Sequence, residues 1–546
     1  MTTFDNAVTS GLRYKNVEAE KSAGVALDMW DDTSFTKGFN YEKKKKKKNQ
    51  YKSSRDALPD MDEKTAPYDN VEAESQRRVN HAEIAGVDRS IVSTENEDGK
   101  NLSHKQSEGA APRPPRIGGF RHIYEIRSPT LLHATKKEGD EPESPECCSD
   151  ALRGLYDMND TLYVRLNEYK NEIAHYAHTR KWDRYKKVTN DYELVSSSSQ
   201  EFPSVSAYTP ISRSFYKLWE ILVEFHGSIF PSDKKPMRAM FLAEGPGGFV
   251  EAFATYRRRF FSHMYHRDAL HGMTLQSSEK YVPYWSNAEC EKYRMRIHRG
   301  EDNTGNLYNL RNIAHMVSCV GKMSCDFVTA DGGFDFSGNY NTQEETSTEL
   351  IACETLSALQ LIRNNGVFVL KIYDIRTPVT FRLIHMLRCM FRAAYFVKPV
   401  TSRPANSEKY VVCVGFHATG LHSPSCTFFP SFRNDIESKT LSFEWASKCD
   451  PSVNKSLFPF GTMSAVFLRE IVLYNAYYVT RQSAYIHKTI SIIRTTDECN
   501  RPLVTDFQLL KNQLDKCIRW CQKHSIPLSM QAMRLYKEFM QHGAQQ

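Results

Sequence analysis

No run of about 20 apolar residues occurs in this chain, so no membrane-spanning helix is expected. The opening stretch "MTTFDNAVTSGLRYKNVEAEK" carries no continuous apolar segment, so no signal peptide is expected. The 13 cysteines are scattered, with no CxxC pair and no Cys/His cluster at zinc-ligand spacing. No structural metal is therefore expected, and the cysteines read as reduced thiols of an intracellular protein. Cys147 and Cys148 are adjacent, and Cys517 and Cys521 share one face of a helix-like segment. Internal repeats are absent. A net charge of +7 over 546 residues is mild; it permits a polyanionic partner without demanding one.

What is present divides the chain. Residues 1–115 are polar and charged, with few periodic apolar positions, and read as a disordered tail. Inside it, "YEKKKKKKNQYK" holds Lys43 to Lys48 unbroken, a block suited to nuclear import, to RNA phosphate, or simply to solvation. Residues 116–204 read as a linker followed by a helical extension. "APRPPRIGGFRHIYEIRSP" (111–129) is a Pro/Gly-punctuated approach to it, "KKEGDEPESPECCSD" an exposed linker and 152–177 an amphipathic helix.

From about residue 205 to 420 apolar strands alternate with helices. Strands are expected at "MRAMFLAE", "ALHGMTL", "CDFVTAD", "GVFVLKIYD", "AAYFVKPV" and "KYVVCVGF", and helices at "SRSFYKLWEILVEFHG", "GFVEAFATYRRRF", "TSTELIACETLSALQLIRNN" and "PVTFRLIHMLRCMF". Near-continuous apolar strands between helices imply an α/β domain whose mainly parallel sheet is covered on both faces. Residues 421–546 add further helical stretches, read as a C-terminal extension.

Ligands of such sheets sit at the carboxyl ends of strands. "FLAEGPGGFVEAF" (241–253) lies there, between a strand and a helix. Gly245, Gly247 and Gly248 remove side chains so that a ligand can approach the backbone, and the helix start offers unpaired N–H groups. The turn lacks the Gly-Lys-Ser/Thr ending of a Walker loop and is not GxGxxG, so alone it fits a structural turn equally well. In "TADGGF" Asp331 ends the strand, Lys371 lies near the end of "VLKIYD", Glu408 precedes "KYVVC", and Lys217 lies on the helix before the Gly-rich strand. A lone Lys or Glu is ordinarily a solvated surface residue. Lys371, however, follows apolar residues in a strand expected to be buried, and a buried amine needs a partner or a function.

Lys217, Asp331, Lys371 and Glu408, in that order around "EGPGGF", resemble the Lys-Asp-Lys-Glu tetrad of RrmJ-type (FtsJ-like) 2′-O-ribose RNA methyltransferases. Within that group, "TADGGF", "NTQE", "LKIYDIRTP" and "KPVTSRPANSEKYVVC" are similar to the cap-specific mRNA (nucleoside-2′-O-)-methyltransferase 1 family, over roughly 205–416. The resemblance implies a Rossmann-like S-adenosylmethionine-dependent methyltransferase fold with a seven-stranded sheet. It implies S-adenosylmethionine as donor and m7G-capped RNA as acceptor, with RNA polymerase or other capping machinery as further partners. The ribose 2′-OH of a cap-proximal nucleotide, the first one giving cap 1, would be methylated. The nucleus is the expected compartment, or the cytoplasm for a viral enzyme.

By the same resemblance Lys371 is the general base. Lys217 nearby and partial desolvation are expected to lower its pKa, with Asp331 and Glu408 orienting the amines and limiting that depression. Glu244, Gly245, Pro246, Gly247, Gly248, Phe249 and Val250 match the donor-binding turn. Asn306, followed by Leu307, stands where the family has an Asp, and Asp302 is close by. Asn341, Thr342 and Gln343 match a substrate loop, and Asn406 a second substrate segment. Arg403, Arg184, Lys186, Lys187 and the runs "TYRRRF" and "YRMRIHR" are candidate phosphate contacts or solvated faces. The other readings are a 2′-O-methyltransferase of a later cap-proximal nucleotide or of rRNA or tRNA, a non-catalytic RNA-binding subunit, and a nicotinamide dehydrogenase.

Overall fold

The computed structural model describes residues 123–126, 145–177, 179–196, 204–279, 282–336, 339–417, 421, 428–437, 465–498 and 507–543. All of them fall in one compact unit. The 1–115 tail with Lys43–Lys48, and residues 136–144 of the expected linker, lie outside the described residues.

Eight strands form one mixed sheet in the order β1-β7-β8-β6-β5-β2-β3-β4. They are β1 (Ile123–Ile126), β2 (Arg238–Leu242), β3 (Ala269–Met273), β4 (Met295–Ile297), β5 (Cys325–Ala330), β6 (Ile362–Ile372), β7 (Phe391–Val397) and β8 (Lys409–Phe416). The run β4-β3-β2-β5-β6 is parallel. β8 is antiparallel to both β6 and β7, and β1 pairs antiparallel with β7. The sheet therefore has one strand more than the seven expected. β1 lies within the Pro/Gly-punctuated approach, where four residues gain a strand by pairing with a distant edge.

The strand residues alternate between two cores, as a pleated sheet covered on both faces requires. From β2, Met240 and Leu242 join one core with Val328, Phe368 and Val411. Ala239 and Phe241 join the other with Phe327, Val367 and Val412. Each fully buried Phe or Leu contributes about 1.5–3 kcal/mol of transfer free energy.

The helices used below are α1 (Pro145–Ala177), α2 (Lys181–Val188), α3 (Ser214–Glu224), α4 (Gly248–Phe260), α5 (Asn287–Tyr293), α6 (Leu310–Val320), α7 (Gln343–Leu361), α8 (Pro378–Met390), α9 (Phe428–Glu437), α10 (Ala465–Glu498), α11 (Phe507–Lys523) and α12 (Met530–Gly543). Local sequence sets several starts. Thr377 caps α8 through its side chain, with Pro378 in the first turn. Ser286 and Glu289 form a reciprocal capping box on α5. α1 begins at Pro145, so the end of the expected linker is helical. "YRMRIHR" holds β4, where the parallel pairing with β3 overrides its polar composition.

Helices outside the sheet region grip the sheet's carboxyl edge. Tyr163, Leu166 and Ile173 of α1 pack with Trp182 and Tyr185 of α2 and with Val479, Ile486, Ile490 and Ile493 of α10. The same two long helices hold the turn after β6. The Ile375 carbonyl accepts from Asn159 Nδ2 at 3.2 Å and Asn475 Nδ2 at 2.7 Å, and Lys170 pairs with Asp374 at 2.7 Å. On the other side Trp219 Nε1 donates to the His524 carbonyl at 2.9 Å, fixing the end of α11 against α3. No helix among the described residues is long and apolar enough to cross a membrane.

Candidate active site

The carboxyl ends of β2, β5 and β6 bring the Gly-rich turn and four charged side chains to one edge. The Ala243 amide donates to the Met273 carbonyl at 2.8 Å and the Asp331 amide to the Leu242 carbonyl at 3.2 Å, which lays Glu244 beside Asp331. β6 then places Lys371 next to β5, and the antiparallel β8 delivers Glu408 to the same end. Lys217 reaches in from α3.

These four form two ion pairs. Lys371 Nζ lies 3.1 Å from Asp331 Oδ1 and donates to the Asp331 carbonyl at 2.6 Å. Lys217 Nζ lies 2.7 Å from Glu408 Oε1 and 2.9 Å from its Oε2. Tyr410, two residues after Glu408, joins the pairs: its hydroxyl lies 3.0 Å from Asp331 Oδ1 and 3.1 Å from Glu408 Oε1. Burial and both carboxylates keep that phenol protonated. It has one proton for two carboxylates, so each acid relies on its lysine for the balance.

The electrostatics reverse one expectation. Burial acts to lower the Lys371 pKa, but Asp331, Tyr373 and Glu408 outweigh it and raise the ammonium above its ordinary value. Lys217 is held by Glu408, so its charge is neutralised at that side. For Glu408, burial alone would raise the pKa, yet Lys217, Lys371 and Lys398 bring it down to about 2.

Two buried acids complete the surroundings. Glu244 is pushed well above the carboxylate range by burial and by Asp331. Its Oε1 accepts from Thr329 Oγ1, and its Oε2 is buried with no hydrogen-bond partner. Glu354, on α7 and fully buried, accepts the Gly332 amide at 3.0 Å and also has an unpartnered Oε2. Burial pushes it up to about 8, against the pull of Lys371.

The donor-binding expectations meet a mixed geometry. Gly247 adopts φ 118°, a conformation that side chains disfavour, directly before α4. A Cβ on Gly245 would lie 2.0 Å from the Pro283 carbonyl oxygen, and one on Gly248 would lie 2.1 Å from Ser214 Oγ. These two glycines thus admit other chain segments in this structure. Pro246 sits between them in the turn. Phe249 and Val250 are core residues, so only their backbone belongs to the turn's surface. Asn306 lies beside the end of β3, where the Gln276 amide donates to the Thr304 carbonyl at 2.7 Å. Its Oδ1 accepts the Tyr308 amide at 3.0 Å. Leu307 packs into the core. Asp302 accepts from Thr304, Asn309 and Asn312, which lowers its pKa and fixes the loop.

The substrate-loop residues approach the same edge. Gln343 is buried and accepts from Ser407 Oγ at 2.5 Å, which ties its helix start to the Asn406–Glu408 segment. Asn406 is exposed, and its Oδ1 accepts the Glu408 amide at 3.3 Å. Asn341 Nδ2 donates to Asn171 Oδ1 of α1 at 2.6 Å. Thr342 forms the turn before α7 with only a long contact, 3.5 Å, to the Asn339 carbonyl.

Several basic candidates are committed elsewhere. Arg403 grips Glu193 at 2.6 and 3.0 Å, with Arg213 on the same carboxylate at 2.8 Å, because a buried carboxylate requires such partners. In "TYRRRF", Arg257 is fully buried against Asp268 at 2.7 and 2.8 Å, and Arg259 donates to Tyr208 Oη at 2.8 Å. Lys186 pairs with Asp183, one turn away. Cys517 and Cys521 are buried free thiols.

A parallel sheet with an antiparallel strand between β6 and β7, and a Gly-rich turn after β2, defines a Rossmann-like methyltransferase fold. Residues 210–416, somewhat over a third of the chain, match the FtsJ-like methyltransferase family. Curated relatives agree in name. The chain is 36% identical over 188 residues to "Cap-specific mRNA (nucleoside-2′-O-)-methyltransferase 1" of Mus musculus, covering 31% of this chain and 20% of that protein. For the protein of the same name from Danio rerio the identity is 34% over 278 residues, with 50% and 31% covered. For "Cap-specific mRNA (nucleoside-2′-O-)-methyltransferase 2" of Drosophila melanogaster it is 28% over 282 residues, with 49% and 37% covered. The matches thus span between a fifth and somewhat over a third of these relatives' length.

Proposed function

We propose that this chain is an S-adenosylmethionine-dependent mRNA cap methyltransferase. It would methylate the ribose 2′-OH of the first transcribed nucleotide of m7G-capped RNA, with Lys217, Asp331, Lys371 and Glu408 as its tetrad. The observation that carries the reading is the joining of those four side chains into two ion pairs beside the turn 244–250. The family match and the relatives' names support it.

The residues present fit the donor. Glu244 Oε2 is a buried polar atom without a hydrogen-bond partner at the start of the turn, free to meet a polar group of the donor. The turn 244–250 with Asn306 and Leu307 would hold S-adenosylmethionine. When bound, it supplies a methyl group on a sulfonium, an electrophile whose positive charge also disfavours a neighbouring ammonium. A ribose 2′-OH is a weak nucleophile, so the chain's work is positioning and removal of one proton. Lys371, as the neutral amine, takes that proton. Asp331 aims the amine and, by holding it charged at rest, sets how much of it is competent. Glu408 holds Lys217, whose ammonium stabilises negative charge growing on the 2′ oxygen. Asn341, Thr342, Gln343 and Asn406 would position the RNA. The same reading assigns the protein to the nucleus, with Lys43–Lys48 as import signal, and to the company of the capping machinery.

Mass-spectrometric mapping of methylated riboses tests it, after incubation with capped and uncapped transcripts of one defined sequence. A 2′-O-methyl group on the first nucleotide of the capped RNA alone is the expected result. Equal methylation of both RNAs, or a methyl group elsewhere, would contradict cap specificity or the assigned position.

A further inference from the structure

Beside Glu408 the carboxyl edge opens into a groove in which, of the residues given roles above, only Asn406 takes part. Its floor is the segment from Lys398 to Lys409, and its far wall is α10, which lies outside the family-matched residues 210–416. Counted out to open solvent, the empty space is about 520 Å³. Tyr478, Arg481 and Tyr485 line it from α10, facing Tyr192, Lys398 and Asn406. Arg481 and Tyr485 are partly exposed, with the guanidinium carbon 6.0 Å from the Tyr485 ring centroid.

Wall and floor are joined by a hydrogen bond. Gln482 Nε2, between those two residues on α10, donates to the Ala405 carbonyl at 3.2 Å. Lys398 Nζ donates to Ser402 Oγ at 3.0 Å and to the Asn406 carbonyl at 2.6 Å. The charge in the groove is unbalanced. Lys398 is brought down to about 7, first by burial and then by Lys409, Lys217 and Arg481, with Glu408 opposing. Asp191, the other acid on the rim, is already paired with Lys516 at 2.8 Å. An anion entering the groove would relieve that crowding, and an aromatic ring beside a guanidinium is a platform for a base attached to a phosphate.

We propose that this groove seats the nucleotide next to the reacting ribose, with its base on Tyr485 and its phosphate at Arg481. The inference rests on the reading of the tetrad as an RNA 2′-O-methyltransferase site. It gives α10 a part in holding the acceptor, which the family-matched region alone does not supply. Single-stranded nucleic acid is held in this way by stacking plus backbone charge, with little dependence on base identity.

The test uses the full chain and short capped RNAs carrying 2-aminopurine at the first, second or third transcribed position. Binding to wild-type protein is expected to quench the probe next to the methylated ribose. Arg481→Glu and Tyr485→Ala should each weaken RNA affinity about tenfold and raise KM for RNA. Donor affinity and kcat at saturating RNA should stay unchanged, as should RNA affinity in Tyr485→Phe. Lys322→Glu, in the turn before β5 at the opposite edge of the sheet, should leave all of these unchanged. A wild-type protein that methylates RNA without quenching any probe overturns the groove alone, whatever the variants do. So do Arg481→Glu and Tyr485→Ala variants that bind RNA within twofold of wild type. A wild-type protein that neither binds nor methylates capped RNA overturns both the groove and the methyltransferase reading.

Discussion

Lys371 holds Asp331 twice: its ammonium lies 3.1 Å from the carboxylate and donates at 2.6 Å to the same residue's main-chain carbonyl. Together the two contacts fix where the amine sits, and the carboxylate also raises its pKa. On the proposed reading, the lysine that takes the proton is stored in its protonated form, with the neighbouring acids raising its pKa.

The sign of a pH effect follows. Because Asp331 stabilises the charged amine, the competent neutral fraction grows as pH rises through the alkaline range. Asp331→Asn removes the negative charge, lowers the Lys371 pKa and should move the rising limb of kcat/KM to lower pH. The maximal rate should fall about tenfold or more as the amine loses its aim. Steady-state rates between about pH 6 and 10 check this; an unmoved limb would refute the assignment of Lys371 as the titrating base.

Tyr410 was not legible as a site residue, since an aromatic in a buried strand reads as core. Its hydroxyl nevertheless faces both acids. Tyr410→Phe leaves two buried carboxylates without that donor, at a cost of about 1–3 kcal/mol. Methyl transfer should fall several-fold with donor affinity retained, as stopped assays and calorimetric titration would report.

Glu354 gives a stability test. Its folded pKa of about 8 lies above the unfolded value, so the folded chain holds an extra proton between roughly pH 4.5 and 8. On its account stability is full below that window and is lost as pH rises through it, by up to about 1.4 kcal/mol per pH unit. Glu354→Gln keeps an acceptor for the Gly332 amide and should flatten that slope by one proton. Glu354→Leu leaves the amide unsatisfied and should destabilise at every pH, by about 1–3 kcal/mol. Denaturant unfolding at several pH values separates the two.

Much of the framework was readable because burial leaves a strong mark. The apolar runs of β2, β5 and β6 and the Thr-Pro start of α8 follow from pattern and capping alone. β4 was not readable: Met295-Arg296-Ile297 is short and polar, and only the neighbouring β3 makes it a strand. Glu354 was hidden because a glutamate in a helix reads as surface, whereas α7 is buried on nearly every side. The tetrad positions were visible only as a set. Which acid holds which amine depends on β8 running antiparallel to β6, and that pairing leaves no trace in either strand's composition.

The run "TYRRRF" shows the opposite case, a basic signal absorbed by the core. Arg257 is buried against Asp268 and lies 4.5 Å from the Phe261 ring centroid. Arg257→Ala would strand a buried carboxylate and cost about 3–5 kcal/mol. Thermal unfolding should report that loss, while RNA affinity measured below the transition stays within twofold of wild type. A large loss of RNA affinity in folded protein would return Arg257 to the phosphate-binding face.

On the proposed reading Lys371 performs the proton transfer beside a bound methyl donor. The most direct test of this compares wild type with Lys371→Ala, following transfer of a labelled methyl group from S-adenosylmethionine to capped RNA and donor binding in the same preparations. The account predicts transfer by wild type, a loss of at least about a thousandfold in the variant, and donor affinity within a few-fold of wild type. Undiminished transfer by Lys371→Ala would contradict it.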